Sequence, residues 1–293
     1  MADKKHGTGI EWTHGEGYKG ETWNPTTGCS KVSPGCAHCY AETLALGKLK
    51  GKVGYPGLPW TPENAATNVV LRPERLDQPL RWGAPRMIFV NSMSDVFHEN
   101  IPDEYLDKVF AVMARASQHV FQVLTKRPER MRRYLNDHDT CVHLDLLLPS
   151  GITEWPLPNV WLGTSIENRH FVGRADVLRE TPAAIRFISA EPLLGPLIAP
   201  MWKDNAPLWE TGKRGPQLDL TGIDWLIVGG ESGPGFRRMK SPWVRDLRDA
   251  AREAGVAFFF KQIGGLTPKA GGRILDGREW NEMPTRVAAG AML

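Results

Sequence analysis

Six short apolar runs, each followed by a polar loop and then a stretch of helical period, constrain the fold of this chain more than any other feature. They lie at residues 86–91, 119–124, 159–163, 185–189, 223–228 and 256–260. Each has the length of a strand, and most are nearly continuous in apolar character, as strands of a parallel sheet covered on both faces are. Between them, Pro102, Asp103 and Glu104 open a helix whose stripe is Leu106, Val109, Phe110 and Met113. Ser241 and Pro242 open another, with Val244, Leu247, Ala251 and Ala254 on its inner face and Gly255 at its end. Residues 41–50 and 168–179 also read as helices, and residues 22–28 as a weaker first strand. Strand alternating with helix predicts an α/β fold, a partial (β/α) barrel of about six or seven parallel strands. One domain is expected over residues 1–293. Irregular, Pro- and Gly-rich insertions are expected at about 51–80 and 194–220.

Composition narrows the function classes. With 41% hydrophobic and 24% charged residues, the chain is not a disordered polymer, a coiled coil or a collagen-like repeat. It has no apolar run near the roughly 18 residues that would cross a bilayer, and its first residues carry charge without an apolar core. A cytoplasmic location and no membrane partner are therefore expected. The net charge of +3 permits an anionic partner without requiring one.

Four cysteines are too few for a disulfide scaffold. Three of them, Cys29, Cys36 and Cys39, fall in one loop with C-x6-C-x2-C spacing. Gly28, Pro34 and Gly35 let that loop curl. Three thiolates suit an iron–sulfur cubane with one open iron. The other reading is zinc, with Cys141, His38 or His143 as a fourth ligand.

Parallel α/β folds bind ligands beyond the carboxyl ends of their strands, and polar residues gather there. They include Ser94 and Asp95, then Thr125, Lys126 and Arg127, then Ser165 and Glu167. Glu191 follows the next strand, Gly229, Gly230 and Glu231 the one after, and Lys261 and Gln262 the last.

The cysteine loop resembles that of the radical S-adenosylmethionine (SAM) superfamily, with a longer first gap and His38 where an aromatic residue is usual. The run from Thr22 to Cys29 and that from Gly35 to Glu42 resemble an uncharacterised, often phage-encoded family related to it. So do the blocks beginning at Asn91, Leu124, Ser189, Val228 and Phe259. This resemblance implies a radical SAM enzyme in which Cys29, Cys36 and Cys39 hold a [4Fe–4S] cluster. The cluster would cleave SAM, and the resulting radical would abstract hydrogen from a substrate. It implies cofactor contacts from His38, Tyr40, Ser94, Asp95, Thr125, Ser165 and Glu167, with Asp95 taking the SAM ammonium. Glu191, Glu231 and Lys261 would be catalytic. An electron donor such as a flavodoxin or ferredoxin would be needed, and the location would be the host cytoplasm if the chain is phage-encoded.

The substrate is expected to be DNA, RNA or a nucleotide. Lys126, Arg127 and Arg130 form one basic run, and Arg237 and Arg238 begin another. With Gln262, they are the expected substrate contacts. Trp60, Trp82 and Trp202 are candidates for base stacking. Two alternatives stand beside this reading: a zinc-stabilised nucleic-acid-binding protein without catalysis, and a radical SAM enzyme acting on a peptide or metabolite.

Overall fold

The computed structural model describes residues 7–15, 17–149, 151–198, 217–267 and 269–285. Its strands are β1 (Lys19–Trp23), β2 (Thr26–Thr27), β3 (Val70–Leu71), β4 (Arg86–Val90), β5 (Val120–Thr125), β6 (Val160–Ser165), β7 (Ile185–Ala190), β8 (Trp225–Gly229) and β9 (Ala257–Gln262). Its helices are α1 (Tyr40–Leu46), α2 (Ala65–Asn68), α3 (Asp103–Arg115), α4 (Pro128–Asn136), α5 (His138–Leu147), α6 (Arg174–Arg179) and α7 (Ser241–Glu253). The sheet order is β1-β4-β5-β6-β7-β8-β9, so strands that follow one another along the chain lie side by side. This is the α/β, parallel-sheet topology of a partial (β/α) barrel, as the alternating pattern predicts. β2 and β3 form a separate antiparallel ribbon.

Contacts divide the chain into two compact units: Met1–Gly163 with Thr181–Ala184, and Thr164–Glu180 with Ile185–Leu293. In the first, β1 pairs with β4 so that Trp23 lies beside Val90, and β4 pairs with β5 so that Val90 lies beside Val123. Trp23, Ile88, Val90, Phe121 and Val123 are fully buried, as are Leu106, Val109 and Met113 of α3. In the second unit, Ala190, Val228 and Phe260 are side by side across β7, β8 and β9. Trp225, Leu226, Ile227 and Phe258 fill the interior, and Val244, Leu247 and Ala251 give α7 its buried stripe. Ala254 is exposed, and Gly255 ends the helix at φ 69°.

Two expectations shift. The first strand stops at Trp23 instead of running through residue 28, because Pro25 offers no N–H to a ladder. The chain resumes as β2 and pairs with β3, so residues 51–80 carry a short helix and a strand and are not irregular throughout. Of the second expected insertion, residues 199–216 lie outside the described residues. Among the described residues, no helix is long and apolar enough to cross a membrane.

Candidate functional site

In the first unit the cysteine loop sits beside the loop that follows β4. Gly28 donates to the Met93 carbonyl at 3.0 Å and has φ 82°. A Cβ at Gly28 would lie 1.8 Å from the Asn68 carbonyl oxygen, so only glycine fits. Asn91, at φ 64°, donates through Nδ2 to Thr26 Oγ1 and to Ser94 Oγ. Ser94 Oγ also donates to the Thr26 carbonyl.

Asp95 is buried and engaged on every side. Its Oδ1 accepts from Thr125 Oγ1 at 2.7 Å and the Phe97 amide at 3.0 Å. Its Oδ2 accepts from the Lys126 amide at 3.1 Å and Arg127 Nη1 at 3.2 Å. Arg127 is buried as well. Its Nε lies 3.0 Å from both Glu99 oxygens, and Nη2 donates to the Ser30 carbonyl and hydroxyl. Arg130 turns inward onto the His98 and Ile101 carbonyls and the Asp103 carboxylate. The two arginines thus bind the fold's own oxygens, and Lys126 is the more accessible member of that run.

The cysteines are brought near one another but not into a ligand set. Cys29 Sγ lies 3.5 Å from Arg127 Nη1 and donates to the Ser30 carbonyl at 3.3 Å. Cys36 Sγ is 3.8 Å from Ser33 Oγ. Cys29 and Cys39 pack against Ala41, Ala45, Tyr55 and Trp60. Burial, reinforced by Asp95, pushes the Cys29 thiol up to about 12, against the opposing pull of Arg127. Burial also raises Cys39.

Among the described residues, no group of three or more His, Cys, Asp or Glu side chains is arranged to hold a metal ion. This overturns the three-cysteine [4Fe–4S] cluster, and with it SAM cleavage, the radical enzyme and the metal-binding role of Cys29, Cys36 and Cys39. The zinc alternative meets the same finding. Cys141 lies on α5, His143 Nδ1 is 3.3 Å from Asp107 Oδ2, and His38 is exposed. Tyr40 opens α1, and its hydroxyl donates to the Ser92 carbonyl at 2.5 Å.

The second unit carries its polar groups at the carboxyl ends of its strands. Glu191 follows β7. Its Oε1 pairs with Lys261 Nζ at 3.0 Å, and its Oε2 accepts from Ser189 Oγ at 3.1 Å. Lys261 reaches it from β9, across β8. The β8–β9 register explains how: Val228 pairs with Phe260 and Gly229 with Gln262, leaving Lys261 as the extra residue of a bulge. A bulge re-aims a side chain. Gly229 lies between the partners, and a Cβ there would come within 2.5 Å of Glu191 Oε1. Its neighbour Gly230 is needed for another reason, since a Cβ would meet the Ile263 carbonyl oxygen at 1.8 Å. Both glycines make room for the protein itself.

Glu231 is held by Arg237, whose Nε and amide both bind Oε2, at 2.9 and 2.8 Å, while Nη2 binds Oε1 at 2.5 Å. Arg238 is exposed. Gln262 Nε2 donates to Ser232 Oγ at 2.8 Å and to the Gly230 carbonyl at 3.1 Å. Glu167 is fully buried. Its Oε2 takes Arg174 Nη1 at 3.2 Å, and the same nitrogen donates to the Ser165 carbonyl at 2.8 Å. Of the aromatic candidates, Trp60 is buried, Trp82 lies under Arg86 at 4.9 Å, and Trp202 lies outside the described residues. Sequence reasoning placed Ser189 at the strand end without a role, although it orients Glu191, and it missed that Gly229 seats Glu191. A serine two positions before an acid at a strand end was the available signal.

These features define an α/β protein with polar strand-end loops and, among its described residues, no metal centre. Residues 7–284 match the family of proteins of unknown function DUF5131, and the chain belongs to that family. This replaces the radical SAM resemblance. No curated protein and no solved structure matches the chain.

Proposed function

We propose that the protein binds a phosphate-bearing, hydroxyl-bearing small molecule of the nucleotide class at the carboxyl ends of β7, β8 and β9. The observation that carries this reading is the Lys261–Glu191 pair built over Gly229. A half-buried ion pair adds little net stability, because desolvation offsets the attraction. Yet this one is supported by a bulge, a glycine and an orienting serine, at the sheet edge where ligands bind. An ammonium has three donors and no acceptor. Glu191 occupies one, which leaves donors for a phosphate oxygen. Glu191 in turn has lone pairs for a ligand hydroxyl.

Calorimetric titration with the four nucleoside monophosphates tests the reading. At least one is expected to bind saturably. Lys261→Ala should weaken that binding by about tenfold or more, the worth of a charged hydrogen bond. Gly229→Ala should weaken it as well, by pushing the Glu191 carboxylate aside. No saturable binding up to millimolar concentration, or unchanged affinity in Lys261→Ala, would overturn the proposal.

A further inference from the structure

We infer a second binding face, for single-stranded nucleic acid, on the module formed by residues 29–60 of the first unit. It extends the phosphate reading to a polymer but rests on a different surface, so either can fail alone.

The charge distribution points to it. Residues 29–60 contain Lys31, Lys48, Lys50 and Lys52 against one acid, Glu42. That excess of three equals the formal net charge of the whole chain, +3. Glu42 is already neutralised by Lys31, 2.8 Å away, and its other oxygen accepts from the Trp60 amide at 2.8 Å. Lys48, Lys50 and Lys52 are exposed, and none is paired with an acid among the described residues.

These lysines stand on ordered backbone. Ala41 and Ala45 of α1 pack on Tyr55 and Trp60, which seats the loop that follows the helix. Within it the Gly51 amide donates to the Tyr55 carbonyl at 2.8 Å, Lys52 to Leu49 at 2.9 Å, and Tyr55 to Lys52 at 2.8 Å. Arg72 Nη1 and Thr27 Oγ1 clamp the Val53 and Gly54 carbonyls, both at 2.8 Å. The stem of Lys50 lies against Gly57, where a Cβ would come within 2.5 Å of its Cγ.

An aromatic ring stands at the start of the same helix. Tyr40 is 55% exposed although its hydroxyl is fixed to the Ser92 carbonyl, so the ring is both open and immobilised. Leu44, one turn along α1, is exposed beside it. An exposed ring at the start of the helix that leads into a loop of exposed lysines offers a stack for a base and counter-charge for the backbone that runs on from it. The same lysines would attract anionic lipid. However, α1 has only seven residues and the lysines follow it in a glycine-rich loop, which does not make the continuous amphipathic helix that lies on a membrane. The partner we favour is therefore the single strand.

The test is fluorescence anisotropy of labelled twelve-residue oligo-dT and oligo-U, at 50 to 300 mM NaCl, on the full chain. Wild type should bind with an affinity that falls with salt. Replacing Lys48, Lys50 and Lys52 together by Ala should lower the slope of log K against log salt by about two. Tyr40→Ala should weaken binding about tenfold and leave the slope unchanged. Tyr40→Phe, which keeps the ring, should retain most of the binding, and it covers the case in which the alanine variant folds poorly. Nucleoside monophosphate binding should be unaffected by the triple substitution, which separates this face from the strand-end site. An unchanged slope in the triple variant would overturn the inference. So would binding to phosphatidylserine vesicles without binding to either oligonucleotide.

Discussion

At the scale of single residues, the first unit is organised by buried polar groups that satisfy one another. Asp95 accepts four hydrogen bonds, and one of them comes from the buried Arg127. Asp95→Asn replaces an acceptor with a donor that faces the Lys126 amide and Arg127. Breaking one side of a buried pair is expected to cost about 3 kcal/mol in urea denaturation; a cost below roughly 0.5 kcal/mol, that of an ordinary surface change, would contradict it. His98 and His119 share one tautomer. Nδ1 of His98 accepts from the Asn100 amide at 3.1 Å, and Nδ1 of His119 from the Arg86 amide at 3.2 Å. Each Nε2 therefore carries the proton, His98 donating to Ser30 Oγ and His119 to the Pro79 carbonyl. Burial lowers both rings below the usual 6.5; Arg127 adds to this at His98, against the pull of Glu99, and Arg86 at His119, against its bond to the Pro79 carbonyl. The unfolded chain then takes up protons that the folded chain refuses. Stability is full above the unfolded value and is lost as pH falls below it, by at most about 1.4 kcal/mol per pH unit for each ring. Urea midpoints measured between pH 7.5 and 5.5 should fall, and less steeply in His119→Gln. A flat wild-type profile would refute the neutral tautomers.

At the scale of elements, the six core strands are legible because buried parallel strands leave near-continuous apolar runs, and each is found within about two residues of its expected place. α4 was hidden by its own charge. Residues 126–133 read as a basic run, yet the Arg130 guanidinium belongs to the buried face of that helix, with Met131, Tyr134 and Leu135. A periodicity scan counts an inward arginine as polar and misses it. The cysteine spacing was equally visible, but spacing does not reveal whether thiols converge on one point, and among the described residues no group of three such side chains is arranged to hold a metal ion. Gly229 and Gly230 were legible as part of a strand-end loop, but not what each makes room for. The structure uses one to seat Glu191 and the other to admit the Ile263 carbonyl. The two should therefore behave differently on substitution. Gly230→Ala sets a Cβ against backbone and is expected to destabilise the β8–β9 end by about 2 kcal/mol or more. Gly229→Ala only displaces a side-chain tip and should leave the melting temperature nearly unchanged. Equal thermal shifts in the two variants would contradict this division.

At the scale of the whole molecule, a chain with a modest net charge still presents positive surface, because charge is segregated. Most ionic groups in the strand-end loops are consumed in pairs: Arg127 with Asp95 and Glu99, Arg174 with Glu167, Arg237 with Glu231. Lys48, Lys50 and Lys52 of the first unit are exposed and have no described acid partner, and Lys261 in the second pairs with Glu191. The central claim is that Lys261 takes the phosphate of a nucleotide. Its most direct test is side-by-side titration of adenosine and adenosine monophosphate into wild type and Lys261→Ala. The phosphate should improve wild-type affinity by about tenfold or more, and this advantage should disappear in the variant while both proteins melt at the same temperature. Equal affinities for the two ligands in wild type, or a phosphate advantage that survives in Lys261→Ala, would contradict it.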